Sequence, residues 1–225
     1  MAFWEVHNLS FAYPRREELL HSLSFAIEEG EAVALMGPNG SGKTTLGKLL
    51  VGILKPSAGQ ILLEGSDLAE LSLAEIGAKV GYIFQNPEKQ IFTPSVEEEI
   101  AFGLRFRGYD EAETRRRVND MLAYFELTHC AGQFPYNLSQ GEKQRLAIAA
   151  VLALEPRFII FDEPTTGLDM RRKEKFAELL LKIRSMGAGY LLISHDRDFC
   201  GSCCERLLLL KEGKLSSADE VAAEA

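Results

Sequence analysis

The chain has 225 residues, 46% hydrophobic and 26% charged, with a formal net charge of -8. That length buries a full core and suits a single α/β domain over residues 1–225 with a helical insertion, which argues against a second independent domain. The acidic balance, with an isoelectric point near 5.2, excludes a nucleic-acid binder that works through a basic face.

Residues Met1 to Asn8 lack the basic-then-apolar order of a signal peptide. No run in the chain approaches the roughly 18 uninterrupted apolar residues of a membrane span, so a soluble intracellular chain is expected. The first strand-like runs are Phe3 to Phe11, Ser22 to Ile27 and, after Gly30, Glu31 to Met36. The third leads into Gly37-Pro38-Asn39-Gly40-Ser41-Gly42-Lys43-Thr44, followed by the helix-compatible stretch Thr45 to Leu54. A strand, a G-x-x-x-x-G-K-T octet and a helix in that order form a P-loop. Its glycines let successive backbone N–H groups converge on phosphate oxygens, and the helix N-terminus behind them adds its positive dipole end. Lys43 then reaches the β- and γ-phosphates of a nucleotide, and the Thr44 hydroxyl suits Mg²⁺.

Gln60 to Leu63 and Val80 to Phe84 are the next expected strands. Gln85 follows the second, where its amide can touch the metal or an attacking water. From Ser95 to Leu154 no strand is convincing. The segment reads as helices over Ser95 to Phe106, Asp110 to Glu126 and Gln140 to Leu154, an inserted helical subdomain at about residues 95–154. Ser95 with Glu98 fits a capping box, Asp110 is an N-cap, and Asp110 to Arg117 reads as a solvated face. Ser139 with Glu142, in Leu138-Ser139-Gln140-Gly141-Glu142, fits a capping box at a helix end that can also hold an anion.

Phe158 to Phe161 is an apolar strand ending in Asp162 and Glu163. A parallel strand delivers such residues at its C-terminal edge, where α/β sheets bind ligands. Asp162 suits Mg²⁺, and Glu163 is placed to polarise a water aimed at the γ-phosphate, although two acids before Pro164 could also cap a turn. Tyr190 to Ser194 is followed by His195, whose imidazole can donate to the same phosphate. The runs at 31–36, 158–161 and 190–194 form a core parallel sheet covered on both faces, whereas the early, more polar runs suit an antiparallel edge sheet. The four cysteines are Cys130, Cys200, Cys203 and Cys204; Cys200-x-x-Cys203 finds no second pair or histidine that completes a tetrahedral metal set, and reduced, inert cysteines on a helix are the favoured reading. Arg206 to Lys211 is the final strand, and Ser216 to Ala225 reads as a frayed tail.

In this order and approximate spacing, the P-loop, Gln85, Leu138 to Glu142, Phe158 to Glu163, Thr166-Gly167-Leu168-Asp169 and His195 resemble the ATP-binding cassette (ABC) ATPases over essentially the whole chain. The resemblance implies an α/β fold: a P-loop NTPase core with a parallel sheet, an antiparallel β edge subdomain and an inserted α-helical subdomain. It implies ATP and Mg²⁺ as cofactors and hydrolysis of ATP to ADP and phosphate, with Glu163, His195, Gln85 and Lys43 catalytic. Nucleotide binding would fall to Gly37, Pro38, Asn39, Gly40, Ser41, Gly42, Lys43, Thr44 and Thr45, with Tyr13 as the aromatic stacked on adenine. Thr44, Gln85 and Asp162 would face the metal. Ser139 and Gly141 would serve the ATP of a second ABC ATPase subunit, identical or different, with Asp169 at the junction. Gln140 and Glu142 depart from the commonest form of this segment, Leu-Ser-Gly-Gly-Gln.

A finer resemblance lies in Tyr82-Ile83-Phe84-Gln85-Asn86-Pro87-Glu88-Lys89-Gln90-Ile91-Phe92 and Ser95-Val96-Glu97-Glu98-Glu99-Ile100-Ala101-Phe102-Gly103, which look like the ATPases of energy-coupling factor importers for vitamins and transition-metal ions. There, a short helix after the glutamine shapes the groove for the membrane subunit, and Glu88, Lys89 and Gln90 match that position. Many members carry a longer C-terminal dimerisation region, whereas this sequence ends soon after Lys211. The implied protein is the ATP-hydrolysing subunit of an importer, at the cytoplasmic face of the cell membrane on an integral membrane component, with no nucleic acid involved. A soluble non-transport ABC ATPase, or the ATPase of another transporter class, is the alternative.

Overall fold

The computed structural model describes residues 2–217, which form two compact units. The first runs to Val80 and resumes at Arg157, and the second is Gly81–Pro156. In chain order the first unit opens with β1 (Ala2–Ala12), β2 (Glu18–Glu28), β3 (Ala32–Met36), α1 (Lys43–Leu50), β4 (Ala58–Leu63), β5 (Ser66–Asp67) and α2 (Leu73–Lys79). The strand β6 (Val80–Ile83) carries the chain into the second unit, which holds α3 (Val96–Phe106), α4 (Glu111–Tyr124) and α5 (Gln140–Leu152). The first unit then continues with β7 (Phe158–Asp162), α6 (Met170–Ser185), β8 (Gly189–Ile193), α7 (Arg197–Cys203), β9 (Arg206–Lys211) and β10 (Lys214–Ser217).

Two sheets build the first unit. One is antiparallel, in the order β2-β1-β4-β5. The other has β9, β3, β8 and β7 side by side and parallel, with β10 antiparallel on β9 at the edge. Every residue of β7 and β8 is buried, as is β3 up to Leu35, which explains why these strands are continuous apolar runs. Phe3 stacks on Phe158 with ring centroids 5.2 Å apart, and Trp4 meets the same ring edge-on at 4.7 Å, so the two sheets share an aromatic core. The indole of the fully buried Trp4 donates to the carbonyl of Leu50, the last residue of α1, at 3.1 Å.

α1 is shorter than the helix-compatible stretch, because Gly52 turns left-handed at φ 71° and closes it. Ser216 and Ser217 belong to β10 rather than to a frayed tail, and the rest of that expected tail lies outside the described residues. Glu212 and Gly213, both at positive φ, make the two-residue turn from β9 into β10. Cys200 and Cys203 do lie on a helix, α7, with Cys204 as its C-cap. Burial pushes the Cys200 thiol up to about 12, far from a reactive thiolate at neutral pH.

In the second unit, Asp110 accepts from the backbone of Glu113 at 2.8 Å and caps α4. Ser95 caps α3 in the same way, but the capping box read from the sequence is only half made, since the Glu98 carboxylate pairs with Arg105 instead of reaching back. The charged stretch at the start of α4 is not all solvated. Arg117 folds inward and donates to Ala153 O at 3.0 Å while pairing with Glu113 and Glu155.

Candidate nucleotide site

The loop between β3 and α1 is set by what glycine permits. Gly37 has φ 149°, and a Cβ there would lie 2.1 Å from Leu210 O; Gly42, the N-cap of α1, has φ 103°. The chain can therefore pass close under β9 and still open into a helix whose first N–H groups face the loop. Lys43 is buried, and its ammonium donates to the carbonyls of Gly37 at 2.8 Å and Pro38 at 3.0 Å, which holds it folded over the loop. Pro38, Asn39 and Gly40 form the exposed crest. Ser41 is buried, and its Oγ has no hydrogen-bond partner among the described residues. A buried hydroxyl left unpaired costs about 1–3 kcal/mol, so this one points to a ligand inside the loop.

Thr44 and Asp162, 118 residues apart in sequence, meet where the P-loop faces the end of β7. The Thr44 hydroxyl donates to Asp162 Oδ1 at 2.9 Å. Glu163, nearly buried, sits in the left-handed region at φ 52°, a conformation that costs a non-glycine residue of the order of 1–3 kcal/mol. It is held there by its N–H on Ile193 O at 2.8 Å. Its Oε2 accepts from His195 Nδ1 at 2.8 Å, so the two residues read separately from the sequence form one hydrogen-bonded pair. With Nδ1 as the donor, Nε2 is the outward nitrogen of an exposed imidazole.

Tyr13 is half-buried against Phe11, and its hydroxyl bonds Thr45 Oγ1 at 3.0 Å, which places the aromatic beside the first turn of α1. Asp169 caps α6 through the Arg172 N–H at 2.9 Å. Lys43, Thr44, Asp162, Glu163, His195 and Tyr13 thus all belong to the first unit.

Gln85, Ser139 and Gly141 belong to the second. Gln85 is exposed just after β6. At the start of α5 the capping box is complete: Ser139 Oγ accepts from the Glu142 N–H at 3.4 Å and donates to Glu142 Oε2 at 2.6 Å, and the Ser139 N–H also donates to Oε2, at 2.9 Å. His129 Nε2 lies 3.0 Å from the other oxygen of Glu142. The Ser139 hydroxyl holds the carboxyl at about 2, helped next by the Ser139 N–H. Sequence reasoning gave Ser139, Gln140, Glu142 and Glu88 but missed Lys143 and Tyr136 and the contacts that join them. Gln140 Nε2 and Lys143 Nζ both donate to Glu88 Oε1, at 3.1 and 2.6 Å, and Tyr136 reaches the carbonyls of Glu88 and Ile91. The polar spacing Gln140-x-x-Lys143, one helical turn, was the available signal.

Comparison with known proteins gives one result throughout. The sequence model of the ABC transporter family matches residues 20–166. The chain is 39% identical over 213 residues to the energy-coupling factor transporter ATP-binding protein EcfA of Methanothermobacter thermautotrophicus, covering 94% of this chain and 68% of that protein. It superposes on cbiO1 from Clostridium perfringens, described as part of the ABC transporter complex cbiONQ, with a TM-score of 0.85 at 33% identity, covering 99% of this chain and 91% of that one. It superposes equally, with a TM-score of 0.85 at 30% identity, on the ATP-binding cassette MJ0796 in a dimeric post-hydrolysis state with ADP and Pi, covering 95% and 98%. Other curated relatives are longer: the chain spans 34% and 35% of the length of two Methanosarcina proteins named as putative ABC transporter ATP-binding proteins.

Proposed function

This chain belongs to the ABC transporter ATP-binding family, and from that premise we propose that it hydrolyses ATP as the ATPase subunit of an importer of the energy-coupling factor class. The observation that carries the reading is the convergence of Lys43, Thr44, Asp162, Glu163 and His195 at the mouth of the P-loop. Glycine-loop N–H groups and Lys43 bind the triphosphate, with Tyr13 against the adenine. Thr44 and Asp162 present oxygen ligands 2.9 Å apart, a hard donor set that fits Mg²⁺. When bound, Mg²⁺ neutralises charge on the transferring phosphoryl group.

Glu163 accepts the hydrogen bond of the attacking water and orients it, while His195 fixes that carboxylate through Nδ1 and turns Nε2 toward the γ-phosphate. Ser139 and Gly141 act on the ATP of a second subunit, as the dimeric relative with ADP and Pi suggests by analogy. For the Ser139 hydroxyl to reach a phosphate it must give up its bond to Glu142. ATP binding closes the dimer and hydrolysis reopens it.

Among the described residues no helix is long and apolar enough to cross a membrane, so attachment to the cytoplasmic face of the cell membrane is assigned to an integral membrane partner. All the large exposed aromatic residues described, among them Phe92, Phe102 and Phe106, lie on the second unit, which supports that unit as the docking side. Lys89 and Phe92 are exposed there, whereas the Glu88 side chain, read from the sequence as a docking residue, is turned onto α5. The test is purification from detergent-solubilised membranes. A polytopic membrane protein should copurify and should stimulate ATPase activity that Lys43→Ala abolishes. An active protein with no membrane partner would refute the importer reading and leave the ATPase reading standing.

A further inference from the structure

We propose that Glu88 is a positioning residue for the dimer's ATP site: it ties the segment Asn86 to Thr93 to the first turn of α5, so that a push on this segment moves Ser139. The proposal rests on the reading of Ser139 as part of the opposite subunit's site. The segment is built as a stiff staple. At its near end Asn86 Oδ1 accepts from the Glu88 N–H at 3.0 Å and fixes the turn Pro87–Lys89, while Gln90 Oε1 accepts from the Phe84 N–H at 3.3 Å. At its far end the buried Glu99 of α3 accepts from the Phe92 N–H at 3.1 Å, the Thr93 N–H at 2.9 Å and the Thr93 hydroxyl at 2.7 Å. The backbone between these anchors has little freedom to absorb a displacement.

A side-chain link ties the staple to α5. Glu88 Oε1 receives both Lys143 Nζ and Gln140 Nε2, residues three apart that share one face of the helix. Lys143 is only 6% exposed, and its ammonium also lies 5.6 Å from the centre of the Tyr136 ring, so the Glu88 carboxylate is an anionic partner of a buried cation. Removing it strands that charge, and the first turn of α5 must shift to bring Lys143 to water. Ser139 is the N-cap of this same turn. Gln140, where the commonest family form has glycine, therefore has a use here: a glycine could not reach Glu88.

The experiment uses the Glu163→Gln background, which separates closure from turnover. ATP-dependent dimerisation is measured by sedimentation against protein concentration, and ATP affinity of the monomer by fluorescence titration. Glu88→Ala and the milder Glu88→Gln should leave monomer ATP affinity within about twofold of the parent, while the dimer dissociation constant rises about tenfold for alanine and less for glutamine. Glu88→Lys should weaken the dimer most. The exchanged pair, Glu88→Lys with Lys143→Glu, should recover it to within about threefold, because it restores the ion pair; a merely structural role would not produce that rescue. Unchanged dimerisation in Glu88→Ala, or a well-folded exchanged pair with no recovery, overturns the proposal. If the Glu163→Gln parent itself does not dimerise with ATP, the split-site reading falls and takes this proposal with it.

Discussion

At the scale of single residues, the strongest expectation concerns Glu163. Glu163→Gln keeps the shape and the contact with His195 but loses the base that orients water, and such a loss costs about 10² to 10⁴ in rate. ATPase assays should show that drop while ATP binding persists and the ATP-bound dimer accumulates on gel filtration. Turnover at the wild-type rate would refute the assignment. Glu142 offers a subtler test. Its folded-state carboxyl at about 2, against an ordinary 4.5, stabilises the α5 cap fully above pH 4.5 and loses that contribution as pH falls toward about 2. The charge is therefore permanent at physiological pH. Glu142→Gln keeps a capping-box acceptor but removes the charge from the neighbourhood of the partner's γ-phosphate. A screened surface charge is worth about 0.5–1 kcal/mol, so ATP-driven dimerisation should tighten roughly two- to fivefold at low salt, and the gain should fade as salt is added. A gain absent at low salt would mean that Glu142 does not face the phosphate.

At the scale of elements, the strands most legible in the sequence were those buried on both faces, because a continuous apolar run can only sit inside a covered parallel sheet. β10 went unread because Lys214-Leu215-Ser216-Ser217 has no apolar alternation; it exists by pairing with β9 across a two-residue turn, and Glu212-Gly213 was its only local sign. α2 buries a single side chain, Ile76, so periodicity could not reveal it, although its capping box, Ser72 with Glu75, was present. The residues of the pairs Thr44–Asp162 and Glu163–His195 were legible, since Asp162 and Glu163 stand at a strand end in a chain with a P-loop; the roles given to them remain proposals. The link from Glu88 to Lys143 was not legible, because a side-chain pair 55 residues apart leaves no local pattern. The P-loop itself makes an element-scale prediction. Gly37→Ala would push a methyl group against Leu210 O and Ser41 Oγ, so β3, β9 and the loop must separate. The melting temperature should fall by about 5 °C or more, as a loss of a few kcal/mol implies for a chain of this size, and nucleotide binding should be lost. A variant with unchanged melting and ATP affinity would contradict the close approach described here.

At the scale of the whole molecule, the expected dimer brings the P-loop of one chain to Ser139 of the other. Cysteines introduced by Ser41→Cys and Ser139→Cys, in a background where Cys203 and Cys204 are serine, should crosslink two chains when ATP is present. Cys130 and Cys200 can stay, since both are buried. Crosslinks confined to single chains would rule out the composite site. Lys43→Ala in the same background should abolish the ATP dependence of the crosslink.

The indole of Trp4 gives this molecule a built-in optical reporter. It is the chain's single tryptophan, it is sealed from solvent, and it bonds the last carbonyl of the helix whose other end is the P-loop. Its emission should be blue, resistant to aqueous quenchers and free of overlapping signals. Any nucleotide that draws α1 toward its phosphates lengthens or bends that bond and changes emission intensity. Loading of the site can then be followed in stopped flow on the unlabelled protein, with Lys43→Ala as the silent control.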